Sequence, residues 1–81
     1  MEELKFFLDD LKSSIETKQS KLLKTGDKSI YSGNLINFCQ IEIKIFETNC
    51  RFYELNLIHG PDIIEKMTKE YLRIKRFIES I

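Results

Sequence analysis

The sequence contains no alanine, no valine and no tryptophan, and only three glycines and one proline among its 81 residues. So little glycine and proline excludes collagen-like and linker-like chains. A content of 42% hydrophobic and 32% charged residues excludes most disordered tails. Packed helices normally use alanine freely, because it is the best helix former. Its loss together with valine, while isoleucine rises to twelve and lysine to ten, points to codon bias. An AT-rich genome produces such a bias, whether that of a bacterium or lower eukaryote or that of a phage, virus or other mobile element. An excess of charge of one sign is also missing, since thirteen Lys and Arg balance thirteen Asp and Glu. A general electrostatic affinity for nucleic acid or membrane is therefore not expected, although local patches remain open.

No apolar run approaches the roughly 20 residues of a membrane span. Met1-Glu2-Glu3 lacks the positive charge and continuous apolar stretch of a secretory signal, so the expectation is a cytoplasmic protein with no membrane contact. Cys39 and Cys50 would lie about 16 Å apart along a helix, beyond the ~7 Å a disulfide spans. They read as reduced core residues. His59 is the only histidine and stands away from both cysteines, which leaves no metal-ligand spacing. It reads as a residue at a helix C-terminus, where it meets the dipole. Nucleophile motifs and glycine-rich phosphate loops are missing. Ser32-Gly33-Asn34 ahead of a helix could hold an anion on backbone N–H groups, but a loop followed by a helix cap accounts for it. No catalytic residue, cofactor or metal is expected, and the chain reads as non-enzymatic.

Punctuation falls in two places. Residues 25–34 hold two of the three glycines and several turn formers, and His59-Gly60-Pro61-Asp62 joins a helix-ending Gly to a Pro suited to a first turn. The intervening segments, about 2–24, 35–58 and 61–81, are nearly equal in length. One domain spanning 1–81 follows, an all-α antiparallel three-helix bundle running up-down-up. In the first segment Leu4, Leu8, Leu11, Ile15 and Leu22 keep a four-three rhythm that only Lys18 breaks. In the third, Ile64, Met67, Tyr71, Ile74, Ile78 and Ile81 keep it throughout. Both are seams along one helix face.

The middle segment admits two readings. Gln40-Ile41-Glu42-Ile43-Lys44-Ile45 and Tyr53-Glu54-Leu55-Asn56-Leu57 alternate with period two, which gives an α+β alternative with a central β-hairpin between two helices. The helical reading accounts for more residues. Ile36, Cys39, Ile43, Phe46, Cys50, Tyr53 and Leu57 form a seam, while Asn37, Gln40, Lys44, Glu47, Arg51 and Glu54 form a polar stripe of the same spacing. A strand would scatter that stripe over both faces of a sheet. It also sets Glu47 four residues before Arg51, the favourable offset. Asn34 sits where an N-cap is expected, just before Leu35.

As a helix, this segment carries a second apolar group opposite its seam: Phe38, Ile41, Ile45 and Phe52. A chain this short cannot bury all its apolar surface, and a surplus is commonly covered by self-association or a partner. These four residues are the expected dimer or partner interface. The function expected is a small protein–protein interaction module acting as an inhibitor, adaptor or accessory regulator. The alternative is a nucleic-acid-binding accessory protein. It rests on Lys66, Lys69, Arg73 and Arg76, whose three-four-three spacing gathers four cations on one face of the last helix. Lys18, Lys21, Lys24 and Lys28 add to a basic pole, opposite an acidic one of Glu2, Glu3, Asp9 and Asp10.

Overall fold

The computed structural model describes residues 2–26, 30–56 and 60–81, and these form three helices: α1 (Glu2–Thr25), α2 (Ile30–Leu55) and α3 (Pro61–Ser80). Each helix packs on both others, and no strand occurs among the described residues. The alternating residues 40–45 lie within α2, so the hairpin alternative is overturned. Period-two alternation across a few residues costs a helix little when every third or fourth residue finds the core.

The seams read from the sequence are the core. Leu4, Leu11 and Ile15 from α1, Ile36, Cys39, Ile43, Phe46 and Cys50 from α2, and Met67, Ile74 and Ile78 from α3 form one buried cluster. Leu8, Leu22, Tyr53, Ile64, Tyr71 and Ile81 pack partly buried against it. Leu57, Ile58 and His59, like Lys28, lie outside the described residues.

Cross-helix pairs fix the directions. Asp10 meets Lys75, and the Lys18 ammonium reaches the carbonyl of Glu79 at 3.5 Å, so α1 and α3 run parallel. Phe38 meets Phe77 and Glu42 meets Arg73, so α2 runs against α3. The result is the up-down-up bundle, with principal extents of 45 × 17 × 16 Å.

The helix ends follow local chemistry. Gly26 ends α1 at φ 70°, a conformation glycine adopts without a Cβ penalty, and its N–H reaches the carbonyl of Leu23 at 3.3 Å. Pro61 opens α3 behind Gly60, whose carbonyl accepts from the N–H of Ile64 at 3.3 Å. One end departs from expectation. Helix α2 begins at Ile30 rather than Leu35, so Asn34 is not an N-cap and Ser32-Gly33-Asn34 do not precede a helix N-terminus. The anion-holding reading assumed a loop at these residues, and the helix runs through them instead.

Candidate interaction face on the second and third helices

At 100° per residue, the inward residues of α2 occupy one half of its circumference. Phe38, Ile41, Ile45 and Phe52 fall on the other half, and they are 40%, 60%, 51% and 55% exposed. Ile41 and Ile45, with Lys44, Thr48 and Asn49, line a shallow depression of about 330 Å³. The stripe is therefore uneven, with aromatic side chains toward its two ends and a hollow near its middle.

In the polar stripe beside it, Glu47 and Arg51 are held in ion pairs. The Lys12 ammonium donates to Glu47 at 2.6 Å, and Arg51 stands 3.5 Å from the same carboxylate, the pair read from the sequence. Lys12 holds the Glu47 carboxyl below the ordinary value.

The four cations of α3 do share one side of the helix, but that side is a mixed lattice of charges. Arg73 donates to Glu42 at 2.6 Å and to Glu70 at 2.7 Å, and Lys69 stands 3.3 Å from Glu65. Both carboxylates raise the guanidinium pKa of Arg73, Glu70 more than Glu42. Lys66 and Arg76 are exposed and make no ion pair among the described residues. The four cations run along the flank of α3, from its second turn nearly to its end, rather than clustering at one pole.

Sequence reasoning treated the apolar stripe and the basic face as separate, and the structure joins them. Phe38 of the stripe lies edge-on to Phe77 of α3, with centroids 5.4 Å apart and planes at 70°. One turn further along α2, Glu42 bridges to Arg73. Both contacts depend on the antiparallel register of α2 and α3, which the spacing within a single helix does not carry.

A second cluster was also missed. On the far side of the bundle, Asp10 Oδ2 accepts from the Tyr71 hydroxyl at 2.5 Å and from the Lys75 ammonium at 2.8 Å. Lys75 also donates to Ser14 at 2.6 Å, and Phe7 stacks on Tyr71 at 4.5 Å. Lys75 thus ties Ser14 and Asp10 of α1 to α3 through one side chain. Asp10 pushes the Tyr71 phenol up to about 12, which keeps it protonated. The group works as a polar clip between α1 and α3.

The cysteines are free and buried, as expected. Burial raises both thiols, Cys50 to about 11, so neither is an activated nucleophile. Among the described residues no group of three or more His, Cys, Asp or Glu could hold a metal ion. No described helix is long and apolar enough to cross a membrane. Comparison with known proteins returns no matching family model, no similar curated protein and no similar solved structure.

Proposed function

We propose that the chain is a small protein–protein interaction module that works through the outer face of α2, without catalysis, as an inhibitor, adaptor or accessory regulator. The observation that carries this reading is the double duty of one helix. Five buried residues of α2 already line the core, and its opposite face still presents Phe38, Ile41, Ile45 and Phe52 to solvent. Scattered exposed apolar residues are ordinary; four aligned on one helix form a surface that favours burial. The neighbouring ion pairs of Arg73, Glu42 and Glu70 supply a polar rim. Free cysteines agree with a reducing, cytoplasmic setting, and the missing alanine and valine agree with a phage or mobile-element source.

Site-specific photo-crosslinking in the producing cell tests this. A benzophenone amino acid in place of Ile41 is expected to give light-dependent adducts, while the same probe at exposed Ser20 on α1 gives none. Equal yields from both positions, or none from Ile41, would defeat the reading. Nucleic-acid binding along α3 has less support, because Arg73 and Lys69 are already engaged by carboxylates. A titration with duplex and single-stranded DNA at low salt, where phosphate contacts are strongest, is expected to show no saturable binding.

A further inference from the structure

We propose that the outer face of α2 pairs with the same face of a second copy, antiparallel, across a two-fold axis passing at Ile45. This rests on the interaction reading above and names the partner. The pattern of the stripe carries it. Phe38 stands seven residues before Ile45, and Phe52 stands seven after it. Seven residues are two helical turns, so all three share one line along the helix. Antiparallel pairing about Ile45 lays Phe38 of one copy against Phe52 of the other at both ends, with Ile45 against its own counterpart. That line reads the same in both directions, while Ile41, off the line, falls by Thr48 and Asn49 of the other copy. An isologous dimer suits such a line, because each contact occurs twice.

Beside Ile45 lies the shallow hole lined by Ile41, Lys44, Ile45, Thr48 and Asn49.

Area and charge are also sufficient. Two phenylalanines and two isoleucines, each about half exposed, offer on the order of 400 Å² of apolar surface per copy. Two copies and their polar rims reach the ~1,000 Å² floor of a specific interface. The formal net charge of zero leaves no general repulsion between copies. At the rim, Glu42 of one copy falls beside Asn49 of the other. The two Lys44 residues fall on one side of the axis, their stems lining the hole and their ammonium groups in water. Salt therefore strengthens the pairing, the opposite of its effect on a surface that binds phosphate.

Sedimentation equilibrium of the purified chain, from about 5 µM to about 1 mM and at about 0.05 and 0.5 M NaCl, tests this directly. A monomer–dimer equilibrium that tightens with salt is expected. Ile45→Asp is expected to weaken it about 30-fold or more while far-UV circular dichroism stays helical. Ile45→Cys in a glutathione redox buffer is expected to form an intermolecular disulfide, with Ser20→Cys and the unaltered chain as controls that do not. Monomeric mass at 1 mM, with no preferential crosslinking of Ile45→Cys, would overturn the self-pairing. The probe at Ile41 then separates the two failures. Adducts with a foreign protein would leave the interaction reading standing, and no adduct at all would remove both.

Discussion

A single carboxylate oxygen of Asp10 takes both the ammonium of Lys75 and the phenol of Tyr71. The hydrogen bond from Lys75, and after it that from Tyr71, hold the Asp10 carboxyl below its ordinary value. A lowered carboxyl stabilises the fold at every pH above the unfolded value, near 3.9, and that stability is lost as pH falls through the folded value. Glu47, lowered by Lys12, has the same sign. Asp10→Asn is therefore expected to cost about 1 kcal/mol at pH 7 and much less near pH 2. Urea unfolding at the two pH values measures the difference, and an equal loss at both would mean that the ionic contact contributes nothing. Tyr71 titrates in the other direction. Its phenol is raised to about 12, so its contribution is complete below pH 10 and disappears as pH rises through 12. The sequence places Tyr71 on the seam but gives no sign of its hydroxyl partner. Asp10 lies 61 residues away, and only the parallel register of α1 and α3 brings the two together. Phe38 and Phe77, and Glu42 and Arg73, were hidden for the same reason: helix spacing reports which face a residue takes, not which residue of another helix stands opposite.

Which segments are helical was legible, because a buried seam and a polar stripe of one period cannot both be kept by a strand. Where α2 begins was not legible. Ser32-Gly33-Asn34 is a good loop by residue type, yet the helix starts at Ile30 and runs through it. Burial further along α2 outweighs the weak helix propensity of those residues, as tertiary packing commonly does. The two starting points predict opposite signs. If Asn34 capped the helix, Asn34→Ala would cost about 1 kcal/mol. Placed inside α2 and exposed, it should gain a few tenths of a kcal/mol. Gly33 sharpens the contrast, since a Cβ added there meets nothing within 4 Å. Gly33→Ala is expected to stabilise by about 0.5–1 kcal/mol. Gly26→Ala also meets open space, but its φ of 70° places the new Cβ in a strained conformation, so it is expected to destabilise by about 1 kcal/mol. Denaturation midpoints of the three variants would check the signs; a destabilised Gly33→Ala would move the start of α2 back toward Leu35.

All three helices share one core, with Leu11, Cys39 and Met67 each fully shielded from solvent, one from each helix. None of the helices has an independent core to fall back on, so opening one should expose all. The cysteines make this testable without any added probe. Only a thiolate attacks an aromatic disulfide reagent, and burial both covers Cys39 and Cys50 and raises their pKa values. Labelling then has to wait for unfolding. For 81 residues a stability of about 4–12 kcal/mol is expected, which leaves at most on the order of one molecule in a thousand open at a time. Both thiols should react at one slow rate. Leu11→Ala, which empties part of the shared core, is expected to cost about 3 kcal/mol. Since ~1.4 kcal/mol is a factor of ten, it should speed the labelling of both cysteines by about 100-fold, although Leu11 lies on another helix. Mass spectrometry of partly labelled protein distinguishes the outcomes. Equal acceleration at Cys39 and Cys50 means that the bundle opens as one unit. Fast reaction of Cys50 alone, insensitive to Leu11→Ala, would mean that the C-terminal half of α2 opens by itself, and a face on that half could not serve as a preformed docking surface.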